Sequence, residues 1–274
     1  MTIRSRLIIA TIATLAASTS LAQSAVSDVE DPNEILKIAA LEALISAPPE
    51  RALPLVIKVL DANNTDEVKE RALFVLSQID LPEAQARLLD VARSSDPELS
   101  AEAVRMIGIG GNEEALAGLA ELYSTGDQDL REAVLEAYMI AGDVEAVYAI
   151  ASNAADAEEF EGAVEMLGIM GAIDKLRVLS ESSGYTEELI QALGLAGGDD
   201  VNATLMDIYR SAETDDIREA ALEGMLISGY DEGVFELYKE SNDINEKRDL
   251  LEMLSIMDSD KMMEVIDAAL QGGR

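Results

Sequence analysis

Glu83, Glu114, Glu145, Asp174, Asp200 and Glu232 recur every 26 to 32 residues, each three residues past a turn-forming residue. Carboxylates in such a series can ligate a cation, pair for acid–base chemistry, or attract a basic partner. Calcium binding is poorly served. Asp127-Gln128-Asp129 and Asp258-Ser259-Asp260 alternate acids, but neither runs on to the glycine and terminal glutamate of a twelve-residue calcium loop. Acid–base catalysis needs one pair set apart from the rest, and no spacing sets one apart among 54 Asp and Glu. Attraction of a basic partner remains. Seven residues beyond the first series stand Glu121 and Asp207, one further face along the same segment, with Asp90 and Glu181 in the same column. Between the two series lie small or apolar residues, including Ala86, Ala117, Ala203, Tyr148 and Phe235. The series predicts an acidic track that speeds the encounter with a basic segment. The competing role is structural: acids in the first turn of a helix complement its dipole, and the rest form a solvated face.

The remaining chemistry is limited by what is missing. The chain has no cysteine, no histidine and no tryptophan. Disulfides, thiolate nucleophiles, Ser-His-Asp triads and ordinary zinc sites are thereby excluded. A net charge of −34 is the wrong sign for holding nucleic-acid phosphates. Gly108-Ile109-Gly110-Gly111 and Gly194-Leu195-Ala196-Gly197-Gly198 look superficially like phosphate loops, but they follow helical patterns and lack a downstream Lys-Ser/Thr. They are expected to be helix C-caps and points of close helix packing. No cofactor or metal is implied.

The elements that position these acids are repeats. Aligning on Pro48, Asp80, Gly111, Gly142, Gly171, Gly197, Gly229 and Asp258 brings other columns into line. Four residues earlier stand Leu44, Leu76, Ile107, Tyr138, Leu167, Leu193, Met225 and Leu254; the columns seven and eight residues earlier are apolar throughout. These offsets share one helix face. Eight residues after the turn, Val56, Leu88, Leu119, Ile150, Leu179, Leu205, Leu237 and Ile266 form the stripe of a second helix. Fifteen before it, Asn33, Thr65, Asp96, Asp127, Asp156, Ser182, Thr214 and Asp243 all belong to the helix-capping set. Each unit reads as cap, helix, tight turn, helix, and about 30 residues cannot bury two apolar stripes alone. Stacking does so, which predicts a right-handed α-solenoid of about eight two-helix repeats over residues 31–274. The methionines of the last unit, Met253, Met257, Met262 and Met263, are expected to cover the end of its core.

Ahead of the repeats, Arg4 and Arg6 precede an apolar run from Leu7 to Ala17 and a small-residue exit at Ser20-Leu21-Ala22. Residues 1–22 have the pattern of a secretory signal peptide, cleaved near Ala22, followed by an acidic lead-in over 23–30. The expected mature protein is periplasmic or secreted, with no membrane span.

In stretches such as Asp216-Ile217-Arg218-Glu219-Ala220-Ala221-Leu222 and Asp129-Leu130-Arg131-Glu132-Ala133-Val134 the units resemble HEAT repeats, most of all the short type also found in bilin-lyase proteins. A base recurs eleven residues before the turn, at Lys37, Lys69, Arg131, Arg218 and Lys247, while Ser100, Phe160 and Thr186 replace it. The resemblance implies that these bases pair with acids of neighbouring repeats and that the second helices line the concave side. The leader, the uniform repeats and the lack of a catalytic constellation predict an exported, non-catalytic scaffold or adaptor, monomeric or weakly associating, and the acidic track predicts a protein partner of basic character. An enzyme subunit of bilin-lyase type and a tetratricopeptide-like binding module are the alternatives; a third is that the acidity serves solubility in a salty habitat.

Overall fold

The structure, a computed structural model, describes residues 32–270. The expected leader (1–22) and lead-in (23–30) lie outside these residues. Sixteen α-helices follow one another as eight hairpins: α1 Pro32–Leu44 with α2 Pro49–Asp61, α3 Asp66–Ser77 with α4 Pro82–Ala92, α5 Pro97–Gly110 with α6 Glu113–Thr125, and α7 Gln128–Ala141 with α8 Val144–Ser152. The second half comprises α9 Ala157–Ile169 with α10 Ile173–Ser183, α11 Glu187–Ala196 with α12 Asp199–Ser211, α13 Asp215–Ser228 with α14 Asp231–Glu240, and α15 Ile244–Ile256 with α16 Asp260–Leu270. No strand occurs among the described residues.

Local chemistry sets the boundaries of these helices. Asp96, Asp127 and Asp156 each accept a hydrogen bond from the backbone N–H three residues on, at 3.2, 3.1 and 2.9 Å, and Thr214 and Asp243 cap α13 and α15 in the same way. Thr65 precedes α3, but its hydroxyl donates to the Glu34 carboxylate of the preceding repeat rather than accepting from its own helix. Two expected caps are displaced. Asn33 lies inside the first turn of α1, and Ser182 lies inside α10. The cap of α11 is Thr186, which accepts from Leu189 N–H. The cause is the length of α10, which runs on to Gly184 at φ 77° and leaves α11 only ten residues.

The turn column has a positive φ in six of its eight positions, though ψ is near 20° at Gly111, Gly142 and Gly229 and −176° at Gly197. Gly111, Gly142, Gly171, Gly197 and Gly229 have φ between 60° and 73°, and Asp258 is the one non-glycine residue at positive φ among the described residues, at 50°. Pro48 cannot adopt it; its φ is −55°, and Pro49 opens α2 instead.

The apolar columns become one continuous core. Leu76, Ile107, Tyr138, Leu167, Leu193, Met225 and Leu254 are buried, as are Val56, Leu88, Leu119, Leu179, Leu205 and Leu237. In the first repeat, which has no described predecessor, Leu44 is half-buried and Ala40 exposed. At the other end Met253, Met257 and Met262 pack against the core, while Met263 is exposed.

Successive first helices lie side by side (α1 on α3, α3 on α5, α5 on α7, α7 on α9, α9 on α11, α11 on α13), and each second helix packs under the next first helix. This neighbour-only pattern is that of an all-α solenoid. Two layers result, spaced differently. A Cβ added at Gly108 would meet Ala137 Cα at 2.7 Å; at Gly168 it would meet Ala192 O at 2.6 Å, and at Gly194 Gly224 O at 2.7 Å. The glycines thus let backbone touch backbone between first helices, as their packing role predicts. Second helices meet through side chains: Gly118 of α6 faces the Leu89 tip of α4, and Gly233 of α14 faces the Met206 sulfur of α12. The tighter layer is therefore that of the first helices, the reverse of what a planar bend with the second helices inside requires.

Of the five recurrent bases eleven before the turn, Lys37 donates to Asn64 near the next repeat, Lys69 pairs with Asp66 of its own helix, Lys247 lies over the Tyr238 ring, and the two arginines bind backbone. Arg131 donates to Tyr123 O at 3.2 Å and lies over the Tyr123 ring; Arg218 donates to Ala212 O at 3.2 Å. Buried Ser100 does the same to Ala92 O at 2.5 Å. All three satisfy carbonyls left unpaired where the preceding second helix ends. Most ion pairs between repeats come from the second helices, Arg87–Asp61, Arg93–Glu121, Lys175–Glu145, Arg210–Glu240 and Lys261–Asp231, while Arg71–Glu42 joins the first helices α3 and α1.

Candidate binding face

All six acids of the first series are exposed, and each occupies the first turn of a second helix. They therefore complement the helix dipoles whatever else they do. Two are neutralised by the next repeat: Glu145 holds Lys175 at 2.7 Å, and Glu232 lies 3.6 Å from Lys261. In the second series, Glu121 is bound to Arg93 at 2.9 Å. Glu83, Glu114, Asp174, Asp200 and Asp207 make no ion pair among the described residues. Tyr148 and Phe235 are half-buried, and Lys175 and Lys239 cover their rings at 4.7 and 4.3 Å. The proposed track on the second helices is thus interrupted by its own cations.

A more continuous face lies on the first helices. Two residues before the turn stand Ile109, Ile140, Ile169, Ile227 and Ile256, exposed by 43 to 61%, with half-buried Leu195 completing the column. Steps of four residues back along each helix stay on that face. They reach Glu136 and Glu132 behind Ile140, Glu165 and Glu161 behind Ile169, and Glu223 and Glu219 behind Ile227. Adjacent rungs are in register, since Gln191 donates to Glu223 across the α11–α13 seam at 3.2 Å. Among the described residues, cations enter these columns behind Ile109, where Arg105 pairs with Glu102, and behind Ile256, where Arg248 pairs with Asp249; the rungs of Ile140, Ile169 and Ile227 keep their charge. Glu187 has a carboxyl pKa raised first by partial burial and then by Asp216, Glu188, Glu223 and Glu219; Glu70 is raised by partial burial and then by Glu102, Asp66, Glu67 and Glu98. Apolar periodicity alone could have revealed the isoleucines, but a fourth apolar column in an amphipathic helix looks like core until burial is known.

The isoleucine column and the first acidic series meet at the turns. Between the second and third hairpins they border an open cleft of about 850 Å³, lined among others by Gln78, Asp80, Gln85, Ile109, Glu113 and Glu114. A second cleft of about 320 Å³, between the fourth and sixth hairpins, joins Asp174 and Asp200 with Lys175 and Arg177.

No group of three or more acids among the described residues is arranged to hold a metal ion, and no helix there is long and apolar enough to cross a membrane. Asp127 is occupied as a cap and Asp258 as a turn, so neither Asp-x-Asp pair is arranged around an ion.

Comparison with known sequences matches the family described as HEAT repeats over residues 57–139 and 85–168. A search of curated proteins returned no match. Among solved structures, the complex of CpcE and CpcF of phycocyanin lyase from Nostoc sp. PCC7120 is similar at 17% identity, covering 90% of this chain and 97% of that one, with a TM-score of 0.39. Human deoxyhypusine hydroxylase in complex with glycerol is similar at 13% identity, covering 82% and 98%, with a TM-score of 0.33. The HEAT-repeat match covers residues 57–168, and the same helix-pair unit stacks eight times from Pro32 to Leu270, an all-α solenoid that carries HEAT repeats over that stretch.

Proposed function

We propose that this protein is exported and acts as a non-catalytic scaffold, holding an extended cationic segment of a partner protein across its first helices. The observation that carries the reading is the ladder of half-exposed isoleucines, each backed one turn earlier by an acid in three successive or near-successive rungs: Ile140 by Glu136, Ile169 by Glu165, Ile227 by Glu223. Export rests on the leader pattern of residues 1–22. A surface alternating apolar rungs with unrelieved negative charge suits a segment that alternates aliphatic residues with Lys or Arg. The charge supplies steering, and the rungs supply dehydrated contact. First helices packed about 8–10 Å apart space the rungs at roughly the rise of three residues of extended chain.

The test is a fluorescence-anisotropy titration with a labelled peptide repeating Lys-Leu-Ser, run against the wild type and the Ile140→Ser/Ile169→Ser/Ile227→Ser variant. These side chains are surface groups, so the variant is expected to fold. Binding weakened at least tenfold, with a steep salt dependence in the wild type, is the expected result. Equal binding by the two proteins would sink the reading.

A further inference from the structure

We infer that the cleft between the second and third hairpins takes the guanidinium group of an arginine side chain from the bound segment, with Gln85 at its base. This deepens the reading of the face as a cationic-segment binder and rests on it. Gln85 is only 6% exposed, yet its Oε1 has no hydrogen-bond partner. The amide orientation is set from the other side, where Nε2 donates to Ile79 O at 3.4 Å. Turning the amide over would face oxygen to oxygen, so the oxygen is the unpaired atom; it lies buried beneath the cleft that Gln85 helps to line, and a donor reaches it only as the side chain shifts toward the opening. A buried acceptor without a donor is costly, and such groups call for a partner.

The rim specifies the charge of that partner. Asp80, Glu113 and Glu114 line the cleft, none of them ion-paired among the described residues, and no lining residue is cationic. The other cleft shows the contrast, because Lys175 and Arg177 already stand among its acids. What the first cleft lacks is one group that is both a cation and a donor in several directions. A metal ion does not fit, since the acids there do not form a converging set. A lysine ammonium is a compact, strongly hydrated charge. The guanidinium is planar, weakly hydrated and carries five donors in a fixed fork, enough to reach the buried amide oxygen and the rim carboxylates together. Ile109, the rung bordering the cleft, offers an apolar wall to the methylene stem.

The experiment is an NMR titration of the isotope-labelled protein with N-acetyl-arginine amide and, separately, N-acetyl-lysine amide. The expected result is a saturable shift of the Gln85 side-chain amide and of the Gly110 and Gly111 backbone signals, with arginine about tenfold tighter than lysine. Gln85→Leu should abolish the preference while leaving the melting temperature within a few degrees. Should that variant fail to fold, Asp80→Asn/Glu113→Gln changes exposed residues only and should weaken arginine binding severalfold. Equal response to both amides, shifts spread along the whole acidic face, or arginine binding unchanged in the variants would overturn the assignment. The peptide titration of the isoleucine variants, whose substitutions lie in the fourth, fifth and seventh hairpins, reports on the scaffold reading independently.

Discussion

Asp258 holds a positive φ where five glycines do so elsewhere in the stack. A Cβ in that conformation meets the following carbonyl, and aspartate is only partly excused by its short polar side chain. Asp258→Gly should therefore stabilise the last hairpin, by about 0.5 kcal/mol after glycine's own entropy cost is subtracted. Slower amide hydrogen exchange in α16 would show it, and the rest of the chain should be unaffected. The turn column was legible as turn chemistry because Gly and Asp share a preference there. Its exceptions were not, because Pro48 serves the start of α2 and a ring-locked φ cannot be positive. Gln85 was invisible for another reason: a glutamine among acids and alanines has no sequence signature until burial strands one of its atoms.

The seams between first helices decide how the repeats assemble. Gly194 approaches Gly224 closely enough that any side chain must push two backbones apart. Gly194→Leu is expected to cost about 3 kcal/mol, measured by urea denaturation. Gly142→Leu, at a turn with open space around it, should cost less because only the backbone conformation is strained. Close packing at Gly108 and Gly194 was readable from the sequence, but their partners were not, since each lies in the next repeat some 30 residues on. The start of α11 was misplaced by four residues for a related reason. Ser182 and Thr186 are both good caps, and only the reach of α10 to Gly184 decides between them.

At the scale of the whole molecule, 54 acids against 20 bases make self-repulsion a large term. Glu70 and Glu187 have folded pKa values above the ordinary 4.5, so the native state binds protons more readily than the unfolded chain. Their ionised forms oppose folding, and that penalty lifts as pH falls toward 4.5. Asp231 has the opposite sign. Its hydrogen bond from Ser259 at 2.6 Å and its pairing with Lys261 hold its pKa below 3.8, so the stability it gives is present above that value and lost beneath it. The melting temperature should therefore rise as pH is lowered from neutrality toward 4.5, then fall below 3.8, and added salt should flatten the rise. A midpoint that fell steadily from neutral pH downward would contradict this. The solenoid itself was legible because eight weak agreements in the same columns reinforce one another. The binding face was not: acids are so frequent in this chain that one series of them looks much like another, and only burial and cross-seam contacts separate a covered column from an open one.

The unequal spacing of the two helix layers has a mechanical corollary. Where peptide planes abut, as along the glycine seams, there is nothing soft left to compress, whereas the opposite layer rests on leucine and methionine tips that can tilt. Bending should then fan out the second helices while the isoleucine rungs keep a constant pitch, so the molecule behaves as a ruler with a rigid graduated edge and a pliant back.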